Sequence, residues 1–298
     1  MSAVAQNAAT TYTTDINGNR IDGGTTTTAD GVVTDLRQSI NGREVPLEQV
    51  EQKVLSKSGN TTVTERITRH YGTGGQVVST DRVVMEETKT AGGSSVRSTT
   101  YRSDISGNMA EAERKTVDTR KVGAATVTDT AVEKKDLNGS FSIAEKRTAT
   151  SEPTSDGKRE SETVMLPSTN GGLYEAQRSA TTETKSGNQV VSNTAVYEPG
   201  IRGELALTRQ SVVKTIAKPD GSSSQEIETY GRTSDGHARE AGAPPSLTEK
   251  RIIERQKGPG GAIVETQSVQ VPSVNPGTLD APRKVSETIC RGECGKKN

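Results

Sequence analysis

Aromatic side chains are scarce in this chain: 298 residues hold no Trp, a single Phe (Phe141) and 6 Tyr. Hydrophobic residues without Gly reach only 29%, and even with the 30 Gly added the apolar share stays below the roughly 45–50% of a globular chain. That shortage excludes a single thick hydrophobic core. Charge of one sign is also missing, since 38 Lys+Arg balance 38 Asp+Glu. A neutral chain lacks the basic excess that captures phosphate backbones, so nucleic acid is not an expected partner. The densest basic clusters, Lys134-Lys135 and Lys250 to Arg255, have acids nearby, and no row of aromatic stacking platforms accompanies them. No apolar run approaches the roughly 20 residues of a spanning helix. Met1 to Thr14 has neither a basic n-region nor an apolar h-region, so no classical signal peptide is read there. A mature form with an added Met1 would account for this.

Cysteine is limited to Cys290 and Cys294. Four residues apart, they suit a small disulfide or a cross-link to another subunit better than a zinc site. The only histidines, His70 and His237, are remote in sequence, and zinc would need two more ligands. No cofactor is expected. Neither a Gly-x-Ser-x-Gly elbow nor a phosphate-cradling glycine loop occurs, and two histidines leave little for acid–base chemistry. The reading is therefore not an enzyme. Asp15 to Asp22 has oxygen-bearing side chains at calcium-loop spacing, but Arg20 and Thr26 stand where such a loop needs Gly and Glu. It reads as a hairpin turn.

Glycine is plentiful, and its spacing is regular. Gly42, Gly75, Gly107, Gly139, Gly172, Gly203 and Gly236 recur about every 32 residues. Gly59, Gly92, Gly123, Gly157, Gly187 and Gly221 interleave with them at half that interval. Asn-Gly and Asp-Gly pairs at several of these positions carry the chemistry of tight hairpin turns. Between turns lie stretches rich in Thr and Val, which suit a half-buried pleated surface. The expected class is all-β, with repeats of about 32 residues, each made of two strand–turn units. An extended antiparallel meander is preferred, a β-solenoid is the alternative, and a closed many-stranded barrel also fits. A membrane barrel fits least, for want of an apolar band and aromatic girdles.

Alternation along the strands is weak. Phe141 and Ile143 share a face that Glu145 and Arg147 continue, and Leu205 and Leu207 share one with Arg209. Apolar residues gather near turns. Three regions follow: residues 1–41 as a Thr-rich leader, 42–240 as the regular array, and 241–298 as an irregular Pro/Gly-containing cap or tail. Pro46 to Leu55 reads as a short helix. A thin sheet with open edges would gain from pairing with other copies. The functional expectation is thus a self-assembling structural subunit of an extracellular filament, fibre or surface layer, with Thr10–Thr14 or Thr25–Thr28 as a donor strand. A monomeric adhesin-like stalk or surface binding module is the alternative. A largely disordered chain is the third reading, opposed by the turn ladders and the missing net charge.

Overall fold

The computed structural model describes residues 6–15, 20–28, 31–40, 42–103, 107–136, 138–200, 203–231, 245–273 and 278–291. These form 18 antiparallel strands in one sheet. In chain order they are β1 (Gln6–Asp15), β2 (Arg20–Thr27), β3 (Gly31–Ile40), β4 (Arg43–Ser58), β5 (Thr61–Tyr71), β6 (Val77–Thr90), β7 (Gly93–Ser103), β8 (Met109–Val122) and β9 (Ala125–Lys135). They continue as β10 (Phe141–Pro153), β11 (Gly157–Pro167), β12 (Leu173–Ser186), β13 (Gln189–Pro199), β14 (Leu205–Ala217), β15 (Ser223–Gly231), β16 (Ser246–Lys257), β17 (Ile263–Gln270) and β18 (Arg283–Arg291). Each strand pairs with its neighbours in sequence, and the ring closes where β1 meets β18, from Thr10 opposite Arg291 to Asp15 opposite Ser286.

Closure corrects the preference for an open meander and excludes the solenoid. The antiparallel, hairpin-by-hairpin order of a meander is present, but the sheet is a barrel. The physical reason lies in the edges. A long one-layer sheet leaves two rows of unpaired N–H and C=O groups, and strand twist brings the first and last strands together so that each satisfies the other. The leader and the C-terminal region contribute wall strands to this ring, β1 to β3 and β16 to β18. No strand edge is left open among the described strands, so Thr10–Thr14 and Thr25–Thr27 are paired within the chain. The short helix expected at Pro46–Leu55 is instead the middle of β4, paired with β3 on one side and β5 on the other. Two ladders of backbone hydrogen bonds outweigh the modest helix preference of Glu, Gln, Lys and Leu.

The wall is one layer thick, and it has almost no core. Among the described residues only Val164, Ala262, Glu65 and Ser222 are buried. Cohesion comes from the ladders and from cross-strand side-chain pairs. Thr25–Thr34, Thr61–Thr88, Thr119–Thr128 and Thr181–Thr194 join hydroxyls at 3.2, 3.0, 3.2 and 2.9 Å. Such pairs contribute about 0.2–1 kcal/mol each.

The two rims differ. At one, here the tight rim, β4–β5, β6–β7, β8–β9 and β12–β13 turn through two residues each, as the closing pairs Ser58–Thr61, Thr90–Gly93, Val122–Ala125 and Ser186–Gln189 require. Gln6 and Arg291 lie at this rim too. Two more hairpins of this rim, β14–β15 and β16–β17, turn through five residues. At the other, the looped rim, five-residue connections recur, while β3–β4 turns through two. Gly72 N–H donates to the Gln76 carbonyl, Asp136 to Ser140, Ser168 to Gly172 and Gly200 to Glu204, at 2.7 to 2.9 Å.

Candidate functional site: an aromatic belt at the looped rim

Register shifts mark the looped rim. Eight hairpins that turn there carry a β-bulge near the turn, between Leu36 and Arg37, His70 and Tyr71, Thr100 and Tyr101, Ile143 and Glu145, Val164 and Met165, Val196 and Tyr197, Thr229 and Tyr230, and Gln267 and Ser268. A bulge inserts one unpaired residue and so reverses which face the following residues occupy. The ion pairs show the reversal directly. Glu111 and Arg114, three apart in β8, would point to opposite faces of a regular strand, yet Arg114 Nε lies 2.7 Å from Glu111 Oε1. Glu175 and Arg178 in β12 repeat the arrangement at 2.7 Å.

This reversal corrects two readings of the alternation. Ile143 lies opposite Glu133, whereas Glu145 lies opposite Val132, so Phe141 and Ile143 share one face while Glu145 and Arg147 take the other. Leu207 pairs with Tyr197 and Arg209 with Val196, so Leu205 and Leu207 do not share a face with Arg209.

Following the register around the ring collects the apolar residues of this rim on a single face. All six tyrosines and the one phenylalanine lie in the half of their strand nearer the looped rim. Of these, Tyr71, Tyr101, Phe141, Tyr197 and Tyr230 share one face, traced through Tyr71–Val77, Tyr101–Glu111, Arg178–Tyr197, Tyr197–Leu207, Gln210–Tyr230 and Tyr230–Leu247. Pro46, Val77, Met109, Ile143, Met165, Pro167, Leu173, Pro199, Leu205 and Leu247 fall on the same face at the same level. The belt runs from β4 to β16 and is interrupted at β9, where Glu133 and Lys135 take its place. Val77, Met109 and Leu173 remain 48%, 40% and 39% exposed. Tyr174 lies on the opposite face, paired with Leu166.

A row of cations lies just inside the belt. The Arg82 guanidinium stands 5.3 Å from the Tyr101 ring centre, and that of Arg114 stands 4.0 Å from Phe141. Arg82 Nε also donates to Glu65 at 2.6 Å, and Lys53 Nζ lies 2.9 Å from the same carboxylate. Glu65 is only 6% exposed. The hydrogen bonds from Lys53 and then Arg82 hold its carboxyl below the usual range despite burial. Glu111 is lowered in the same way by Arg114. The Tyr230 hydroxyl donates to Glu228 at 2.9 Å, and that bond, with burial, raises its pKa.

Farther from the belt the wall is polar on both faces. On the belt's face, Arg120 pairs with Asp129, which also accepts from Thr148 at 2.8 Å. On the opposite face, His70 Nδ1 lies 3.2 Å from Glu48, and Arg147 pairs with Glu145 at 2.5 Å and Glu162 at 3.2 Å. Among the described residues, no group of three or more His, Cys, Asp or Glu could hold a metal ion. No helix is long and apolar enough to cross a membrane.

Of the glycines read as turns, Gly42, Gly59, Gly75, Gly107, Gly123, Gly139, Gly187, Gly203 and Gly221 take positive φ. In the Gly171-Gly172 pair it is Gly171 that does so. Gly92 and Gly157 have no positive φ, and Gly236 lies outside the described residues. Gly157 opens β11 opposite Thr184. Cys290 sits in β18 opposite Ile263 and is disulfide-bonded. Cys294 lies outside the described residues, as do residues 16–19 of the segment weighed for calcium. Arg20 and Asp22 of that segment form an ion pair at 2.7 Å.

Sequence reasoning missed the belt and the bulges beneath it. The signal was present: the tyrosines approach only alternate turns, those of one rim.

No family model matches the chain. No curated protein matches it either. Among solved structures, a porin-like protein from Bacteroides uniformis aligns over 81% of this chain and 95% of its own, at 9% identity and a TM-score of 0.15. A superposition that poor carries no structural or functional argument.

Proposed function

We propose that the chain is a non-enzymatic structural barrel exposed at a cell surface. The observation that carries this reading is the closed ring with a hydrated wall: 18 strands, two polar faces and almost nothing buried. The disulfide at Cys290 supports an oxidising, extracytoplasmic setting. Positive charges away from the rims stand on both faces, Arg97 and Lys214 on the belt's and Arg66 and Arg147 on the other. Each would cost about 2–4 kcal/mol at a bilayer midplane on the lipid side, which favours water on both sides of the wall. Assembly by strand edges has no free edge to use, so copies that join into a fibre or layer meet through rims or faces.

Small-angle scattering and light scattering on the purified chain test this, with far-ultraviolet circular dichroism on the same sample. Eighteen tilted strands about 4.8 Å apart give a hollow ring roughly 35 Å across. A strand-rich spectrum with a hollow-ring profile is the expected result, and stacks of rings at high concentration would add the fibre role. A coil spectrum or a compact solid profile would overturn the proposal.

A further inference from the structure

The belt asks for an occupant. It occupies thirteen neighbouring strands less one, an arc of roughly 80 Å on a ring roughly 35 Å across. Its height, from the Tyr101 level to the turns, is two to three residues, or about 7–10 Å. It lies on the curved face of the wall and not on the rim's edge, so two barrels meeting rim to rim leave it uncovered. A second curved wall touching it side by side reaches only a few strands. What covers so long an arc at so small a height is a continuous medium.

We infer that the belt's face is the outer face of the barrel, and that the belt, running along about two-thirds of the looped rim, seats that rim in the headgroup layer of a lipid bilayer without spanning the bilayer. Tyr and Phe combine an apolar body with a ring or hydroxyl suited to a wet boundary, and they concentrate at that depth in membrane proteins. The belt's height matches the roughly 5–10 Å over which interfacial elements enter the headgroup and acyl boundary. Beyond it the same face carries Arg69, Arg82, Arg114 and Arg178, with Lys53 and Glu65 deeper in the wall, and these stay in the aqueous layer. The arginines there are paired with Glu51, Glu65, Glu111 and Glu175, so little net charge is left to address anionic lipid. Attachment is therefore apolar and nearly indifferent to salt. This inference rests on the surface-barrel reading and adds to it which end faces the cell.

The test is flotation of the full chain with vesicles of pure phosphatidylcholine, with and without 0.5 M salt, which cuts the Debye length to about half its physiological value. The wild-type chain is expected to float under both conditions. Replacing Tyr71, Tyr101, Phe141, Tyr197 and Tyr230 together by Ser should lower vesicle affinity by about a hundredfold or more. The control set Val32→Ser, Val54→Ser, Leu55→Ser and Val122→Ser, on exposed residues toward the tight rim, should float like wild type. Should the belt variant fail to fold, tyrosine fluorescence of the wild-type chain decides, because the sequence has no Trp. Nitroxide lipids labelled near the headgroup should quench it more than lipids labelled deep in the acyl chain. A strand-rich ring that does not float, a belt variant that floats unchanged, or quenching strongest at the deep label each overturns the inference while leaving the barrel intact. Release of vesicle-trapped dye would overturn it too, by indicating a pore through the bilayer. A coil spectrum would instead remove the barrel reading itself.

Discussion

The two rims of the barrel differ in the register that follows each turn more than in the turns themselves. At the tight rim β4–β5, β6–β7, β8–β9 and β12–β13 turn in two residues and the register then runs nearly unbroken; the β4–β5 bulge between Val54 and Ser56 is the exception. At the looped rim a bulge follows the turn in eight hairpins, seven with longer connections and β3–β4 with only two residues between Ile40 and Arg43. Bulges strengthen local twist and re-aim side chains. Here they bring the tyrosines, leucines and prolines of alternate strands onto one face and leave the charged residues behind them. The lesson is that one irregularity, repeated around a ring, can sort a composition that shows no clean alternation.

A close-approach glycine at the tight rim gives the largest expected effect. Gly93 opens β7 at the tight rim, and a Cβ there would overlap the Thr119 carbonyl oxygen of β8. Gly31 and Gly157 stand in the same relation to the Gln52 and Glu183 carbonyls. These glycines allow a close backbone approach, so Gly93→Val should lose about 2–4 kcal/mol, read as the urea midpoint of the strand signal. A loss below that of an ordinary surface substitution would mean the ladders at this rim can open without cost.

Next in size is the charge cluster behind the belt. Glu65→Gln removes the ionic acceptor shared by Lys53 and Arg82 and should cost about 1–3 kcal/mol at neutral pH. Its pH dependence has a definite sign. The folded carboxyl titrates below its unfolded value of about 4.3. The stabilisation is therefore full above about pH 5 and is lost as pH falls through the lower, folded pKa. Urea midpoints of wild type and the Gln variant should converge between pH 5 and strong acid. A gap that stays constant over that range would show that the carboxylate's charge is not what the cluster uses.

A smaller effect is expected at the looped rim. Gly107 has φ 81° and open space around its Cβ position. Gly107→Ala meets only the left-handed backbone penalty, about 1 kcal/mol. The loss should be well below that of Gly93→Val, and equal losses would erase the distinction between a glycine kept for its positive φ, as also at Gly59, Gly123 and Gly187 of the tight rim, and one kept for close backbone approach.

The β class could be read from Thr- and Val-rich stretches between turns, because side-chain chemistry and backbone geometry agree locally there. Closure could not. The contact that decides it joins Thr13 to Thr288, and nothing in either stretch names the other. Pro46 to Leu55 misled because its residues favour helix in isolation, while two partner strands decide its fate; Pro46 is tolerated beside the bulge at Leu36/Arg37. The belt escaped for a more specific reason. A period of two, read straight through Phe141, Ile143, Glu145 and Arg147, crosses a bulge whose extra residue reverses the face. The short apolar alternation at the rim and the polar wall beyond it are joined out of phase.

The smallest effect tests what holds the wall together where it meets the tight rim. Thr61 and Thr88 face each other across β5 and β6 with hydroxyls 3.0 Å apart. Both have water nearby, so each hydroxyl exchanges one good partner for another on unfolding, and the coupling should be only about 0.2–1 kcal/mol. A double-mutant cycle with Thr61→Val and Thr88→Val isolates it, since Val keeps the β-branch that suits the strand. Each Val also adds apolar surface, so the single variants need not lose stability; only the interaction energy of the cycle is diagnostic. A coupling near zero would place the wall's cohesion in the backbone ladders and methyl contacts alone. One above 1 kcal/mol would mean that the threonine pairs are shielded from water, contrary to a wall with two wet faces.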